Sequence, residues 1–196
     1  MNFKTTLCAA LLPVLLAGSV SAFAEDLAPE KVTIKGGQVN FEGSVVAAPC
    51  AIDNDSMNQT VSLGQVTSKT FQTAGDTSSF VPFSIKLTGC DLTGTNATGN
   101  YTKASIVFKG DTAQDNAELL AITGATGAAN SVADGIGIQI RQNGTAAKFD
   151  GATALAPTAL ANGDNEVKLT AGYISYANVV TAGAANATAD FSVTYE

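Results

Sequence analysis

The sequence predicts an all-β sandwich, and three observations carry that expectation. Short segments with alternating apolar and polar residues recur along the chain, and no stretch sustains a helical period. The intervening stretches, notably 121–135, 151–163 and 181–188, are rich in Ala, Gly, Thr and Asn and read as loops. Seven or more short strands at that spacing indicate two packed sheets.

Residues 1–24 are expected to be a secretory signal peptide. Lys4 supplies the positive start, Leu7 to Val20 the apolar stretch, and Ala22-Phe23-Ala24 a small-x-small cleavage site. The apolar stretch is short for a membrane span. Leu27 to Gly37 alternates weakly, with Val32 and Ile34 on one face, until Gly36-Gly37 breaks the pattern; a frayed tail is the alternative. Gln38 to Pro49 restarts the alternation with Val39, Phe41, Gly43, Val45 and Ala47, and is expected to be a strand ending at Cys50.

Gln59 to Leu63 reads as a short strand closed by Gly64, and Phe80 to Leu87 as a stronger one running into Thr88-Gly89-Cys90. Thr102 to Lys109 places Ala104, Ile106 and Phe108 on one face, while Glu118 to Ile122 suits either a strand or one helical turn. Gly135 to Arg141 carries Ile136, Ile138 and Ile140, and the Asn143-Gly144 turn is expected to fold Lys148 and Phe149 back onto it. Glu166 to Tyr176 is a long strand bearing Val167, Leu169, Ala171 and Tyr173, with a phase shift after Gly172 that suggests a bulge.

Asn186 to Glu196 has the cleanest pattern. Ala187, Ala189, Phe191, Val193 and Tyr195 make a dry face; Asn186, Thr188, Asp190, Ser192, Thr194 and Glu196 make a wet one. The alternation runs to the last residue, so this strand is expected to lack a successor and to leave an edge or groove wall that something must cover.

Composition narrows the function. Removing residues 1–24 takes away Lys4 and no acid, leaving 9 cations against 17 acids in 172 residues, a charge of −8. Such a chain, with Arg141 as its one arginine, has little to offer a phosphate backbone, and nucleic acid is excluded as an expected partner. Cys8 leaves with the signal peptide. Cys50 and Cys90 remain, an even count in an exported chain, so a disulfide joining two strand ends is expected. Closing a loop of about 40 residues is worth roughly 4 kcal/mol.

With no His and no Trp in the chain, a Ser-His or Cys-His nucleophile pair is excluded. No phosphate-cradling glycine loop occurs, and no cofactor is expected. Asp53-Asn54-Asp55 with Asn58 starts like a calcium loop, but Asn58 and Gly64 stand where Gly and Glu are needed, so a solvated turn is expected and no metal. Zinc is disfavoured by the lack of His and of a C-x-x-C pair.

Several stretches together resemble the chaperone–usher fimbrial subunits of the type 1 major pilin class. They are KGGQVNFEGSVVAAPCAID (Lys35 to Asp53), TVSLGQV (Thr60 to Val66), PFSIKLTGCD (Pro82 to Asp91), GIGIQI (Gly135 to Ile140), DGATAL (Asp150 to Leu155) and ADFSVTYE (Ala189 to Glu196). Tyr195 also occupies the penultimate position typical of that class. The resemblance implies an incomplete immunoglobulin-like sandwich lacking its seventh strand, with a groove beside the C-terminal strand. It implies that residues 25–37 are a donor-strand extension and 38–196 the pilin domain. It further implies partners: identical or related pilins, a periplasmic chaperone and an outer-membrane usher, with the product a fibre at the cell surface. On this reading Val32, Ile34 and Gly36 enter a neighbour's groove, and Phe191, Val193 and Tyr195 line the groove and meet the donor or chaperone strand. A minor or adaptor pilin is the nearby alternative. An exported carbohydrate-binding sandwich is the distant one, disfavoured by the lack of Trp.

Overall fold

Alternating segments become strands where a neighbour satisfies their backbone groups, and stay irregular where none does. The computed structural model describes residues 31–93, 95–96, 99–124 and 132–196. The expected signal peptide, residues 25–30 and the middle of the expected loop 121–135 lie outside the described residues. The chain divides into a unit ending at Gly43 and a unit Ser44–Glu196. In the first unit, residues 31–43 form no strand and are exposed throughout.

The second unit contains β1 (Ala51–Ile52), β2 (Val81–Cys90), β3 (Thr95–Asn96), β4 (Gly99–Asn100), β5 (Lys103–Lys109), β6 (Thr112–Ala113), β7 (Asn116–Leu120), β8 (Ile136–Gln142), β9 (Thr145–Ala146), β10 (Asp150–Ala154), β11 (Thr158–Ala159), β12 (Gly163–Ser175) and β13 (Asp190–Tyr195). One sheet runs β1-β2-β12-β8-β7-β6, with β9 paired to β8. In the other, β5 pairs with β10 and β11 and also with β13. All these pairings are antiparallel.

The core forms where the two sets of inward side chains meet. Ile85 and Leu87 of β2, Ile136, Ile138 and Ile140 of β8, and Val167, Leu169 and Ala171 of β12 face Ala104, Ile106 and Phe108 of β5. Each fully buried Val, Leu or Ile contributes about 1.5–3 kcal/mol. Phe149 caps this layer with its ring 6.2 Å from that of Phe108. Cys50 and Cys90 are joined by a disulfide, as the even count in an exported chain led one to expect. The bridge ties the residue before β1 to the last residue of β2.

Four local expectations change and one ambiguity resolves. The strand expected over Gln38 to Pro49 does not form, and Gln38 to Ala48 are exposed along their length. Backbone groups without a ladder partner stay with water. Gln59 to Leu63 forms no strand, although Gln59, Val61 and Leu63 are half-buried at every second position. In the ambiguous stretch Glu118 to Ile122, residues Glu118 to Leu120 belong to strand β7 and Ala121 and Ile122 lie beyond its end.

The turn at Asn143 (φ 50) and Gly144 (φ 85) has the two positive φ values of a tight hairpin, but it returns into Thr145–Ala146 rather than Lys148 and Phe149. A two-residue turn fixes register, so Gln142 meets Thr145 and Arg141 meets Ala146. Phe149 is drawn elsewhere: its N–H donates to the Ala117 carbonyl, and its own carbonyl accepts from Gly110 N–H.

The phase shift in β12 is not a bulge at Gly172, where pairing with β8 is regular from Thr170 to Ser175. Both faces are buried there instead. Ala171 and Tyr173 face the main core, while Ile174 joins Ala113 and Leu119 in a second apolar cluster on the other face. The ring of Phe80 lies over Gly172, where an added Cβ would stand 3.2 Å from it. The irregularity lies in the partner: Thr77 pairs with Ile174 but Val81 with Ala171, one residue extra before β2.

Two predictions follow from this geometry. Gly135 has φ +84, and a Cβ there would stand 2.6 Å from the Val179 carbonyl oxygen. Gly135→Ala is expected to destabilise by about 3 kcal/mol, combining left-handed strain with a backbone clash, read as a fall in denaturation midpoint. The second concerns Asp150, whose carboxylate accepts from the Thr153 hydroxyl and from the N–H groups of Thr153 and Ala152 at 2.6–2.8 Å. These bonds, the Thr153 hydroxyl first, hold its pKa down to about 2. A lowered folded pKa stabilises above the ordinary carboxylate range and loses that stabilisation as pH falls through about 2. Asp150→Asn is therefore expected to lower the urea midpoint at neutral pH, with the difference vanishing at the acid end.

Candidate functional site

A groove of about 1080 Å³ opens into the sandwich between two chain segments. One wall is residues 56–64. The other is residues 185–191, which lead into β13. The floor is apolar: Phe83 and Ile85 of β2, Phe108 of β5, Leu120 of β7, Ile138 and Ile140 of β8, and Ala171 and Tyr173 of β12.

The first wall is held to the edge of β2 largely by side chains. Gln59 Nε2 donates to the Ser84 carbonyl at 3.1 Å, and Lys86 N–H donates to Ser56 Oγ at 2.9 Å. Asp53 N–H donates to the Lys86 carbonyl, while the Asp53 carboxylate accepts from Asp55 N–H within a tight turn. Side chains here serve a strand edge that a ladder would otherwise occupy.

The second wall enters its ladder with β5 only at Asp190. Before that, the Ala185 carbonyl accepts from the Tyr173 hydroxyl at 2.9 Å, and the Asn186 carbonyl accepts from Thr123 N–H and hydroxyl. Burial raises the pKa of the Tyr173 phenol, which stays a neutral donor.

The residues singled out in the sequence fall as follows. Phe191 lines the groove, half-buried, with its ring 6.4 Å from that of Phe108. Val193 and Tyr195 lie on the same inward face of β13 and pack on the main core, beyond the groove lining. Tyr195 donates its hydroxyl to the Cys50 carbonyl at 3.2 Å and sets its ring edge-on to Tyr101. Val32 and Ile34 are each 83% exposed, and a Cβ on Gly36 would touch nothing. Val39, Phe41 and Val45 are exposed as well. Sequence reasoning did not assign Gln59, Tyr173 or Ala185 to the site; Tyr173 was in phase with the core, and nothing in its spacing marks it as groove floor. Among the described residues no group of three or more His, Cys, Asp or Glu could hold a metal.

The molecule is thus an immunoglobulin-like sandwich with one strand position open. The sequence profile described as "Fimbrial protein" matches residues 39–196. The type-1 fimbrial protein A chain of Escherichia coli is 42% identical, with all of both chains covered. A chain from the structure of a chaperone–usher pilus, solved to explain rod uncoiling, superposes with a TM-score of 0.70 at 29% identity, covering 85% of this chain and 99% of that one. The P pilus rod subunit shares the fold, with a TM-score of 0.63 at 24% identity over 76% of this chain and 100% of its own. The chain belongs to the fimbrial protein family. It is a structural subunit of a surface fimbria, exported to the cell surface.

The disulfide holds the end of the sandwich where Tyr195 reaches Cys50. Replacing both cysteines by serine is expected to lower stability by about 2–5 kcal/mol, read by denaturant titration, with intact mass showing no alkylatable thiol in the unreduced parent.

Proposed function

We propose that this chain is a shaft subunit that polymerises by strand donation, each copy filling its neighbour's groove with its own N-terminal extension. The observation that carries the reading is a pair of complementary defects. One unit has an apolar groove without a strand; the other has alternating apolar residues exposed to water. Strand addition supplies backbone pairing along the open edge, while alternate side chains enter the floor. Val32 and Ile34 would contribute about 1.5–3 kcal/mol each on burial. The shaft role draws support from the relative's designation as an A chain and from the matching subunit's place in a pilus rod. The role is mechanical rather than catalytic, in keeping with a chain that has no His.

An uncovered groove in the periplasm is an aggregation hazard. A chaperone strand along Phe191 to Tyr195 would cover it until an outer-membrane usher exchanges that strand for the next subunit's extension. Processing after Ala24 would free the N-terminal extension for donation.

The exposure of Val39, Phe41 and Val45 favours a second register. Val32, Ile34 and Gly36 share the even face of an extended strand, whereas Gly37, Val39, Phe41, Gly43 and Val45 share the odd face. A groove accepts one face at a time. The odd face offers more apolar surface, including an aromatic ring, and is assigned the floor.

The test is to express Ile34→Asp, Phe41→Asp and Phe191→Asp each as the sole copy and to image filaments by electron microscopy. A charge set on the dry floor costs several kcal/mol, so Phe191→Asp is expected to abolish filaments and Thr194→Ala, on the wet face, to spare them. Phe41→Asp should abolish and Ile34→Asp only shorten them; the reverse order assigns the floor to Val32 and Ile34. Normal filaments from all three charge variants would overturn strand donation. The composition of sheared filaments tests the shaft role, which requires this chain to be the bulk component.

A further inference from the structure

We propose that Tyr173 is a strut that holds the groove open for its strand. This rests on the strand-accepting reading of the groove. Tyr173 is rooted on both backbone sides, since its N–H donates to Ser78 Oγ and its carbonyl accepts from Ser78 N–H, each at 2.9 Å. Its ring lies on the groove floor, 8% exposed, and its hydroxyl meets the opposite wall at Ala185. The chain thus spans from floor to wall through one rigid ring with two side-chain torsions.

The span matters because of what surrounds it. The wall's ladder to β5 starts at Asp190, so residues 184–189 are held from outside the strand. Ala133 N–H donates to the Ala184 carbonyl, and Thr123 donates to Asn186, both from neighbouring loop segments. The Tyr173 bond comes from the floor itself. An unfilled apolar groove favours closure, in which Ala187 and Ala189 would sink toward Ile138 and Leu120. Closure would break the Tyr173–Ala185 bond and strand a buried hydroxyl without its acceptor. The strut therefore keeps the wall at the spacing an added strand requires, and lowers the reorganisation needed for capture. Tyr173 is a positioning residue: it acts on the incoming strand through the wall.

The test uses the full mature chain and a fluorescent peptide of residues 31–46, with association and dissociation followed separately. Tyr173→Phe keeps the ring and removes the hydroxyl. It is expected to slow association about fivefold, the weight of one hydrogen bond, with dissociation little changed. Amide exchange at Asn186 to Asp190 should quicken. Thr123→Val, which removes the second side-chain tether, should slow association in the same direction and serves if Tyr173→Phe folds poorly. Tyr176→Phe is the control, since that hydroxyl bonds Asp134 and Gly135 and does not touch the groove wall; it should leave association unchanged. Unchanged association and exchange in both Tyr173→Phe and Thr123→Val would overturn the strut. Equal slowing by Tyr176→Phe would reduce it to general stability and overturn it too. Failure of the peptide to bind the unaltered chain would overturn the strand-accepting reading itself, and the strut with it.

Discussion

Two backbone edges face each other across an apolar floor with no strand of the same unit between them, and most of the structure can be read as a response to that arrangement. Ordinarily a sheet closes such a gap with a ladder, because unpaired N–H and C=O groups over a dry surface are costly. Here the first edge is served by Gln59, Ser56 and the turn at Asp53, and the second by Tyr173 and Thr123. These contacts satisfy individual groups without occupying the space above the floor. The walls are tied at points, while a ladder would have tied them along their length.

The floor itself must be rigid for this to work, and β12 supplies the rigidity. It pairs with β2 on one side and β8 on the other, and its last residues are buried on both faces. The second cluster of Ala113, Leu119 and Ile174, with Phe80 over Gly172, braces the back of the sheet behind Ala171 and Tyr173. Arg141 lies over the Phe80 ring at 4.2 Å and donates from Nε to Gln139, extending the brace across the outer face. The extra residue between Ser78 and Val81 swings Phe80 onto that face, so a local irregularity in one strand stiffens its neighbour.

The sandwich class was legible because strands with one apolar face write that face into the sequence at period two. Phe80 to Leu87, Thr102 to Lys109, Gly135 to Arg141 and Asn186 to Glu196 all reduce to that signal, and the cysteine count supplied the bridge. The signal failed where both faces carry apolar residues or where no ladder partner exists. In β12 two-sided burial imitated a bulge. Over Gln38 to Pro49 the alternation is present, yet a period of two marks a candidate face and not whether a partner strand pairs with it. The groove walls were least legible, since Gln59 and Tyr173 act through hydrogen bonds to distant backbone, a relation with no local pattern.

A different reading of the same residues would have located the groove. Along the inward face of the last segment the side chains run Ala185, Ala187, Ala189, then Phe191, Val193, Tyr195. Period treats them as one set, but their sizes divide them. The three large residues fill their own core: Phe191 against Phe108, and Tyr195 against Tyr101 and the Cys50 carbonyl. The three alanines fill nothing beyond their own Cβ, and each missing methylene forgoes about 0.8 kcal/mol of burial that a close-packed interior would normally claim. Three successive small residues on a dry face are therefore a deficit of volume as well as an edge without a ladder. Both deficits end at Asp190 and Phe191, where pairing with β5 begins and large side chains resume. The ladder starts at Asp190 because β5 ends at its partner Lys109, and the large side chains resume one residue later, so the volume deficit and the unladdered stretch share one boundary.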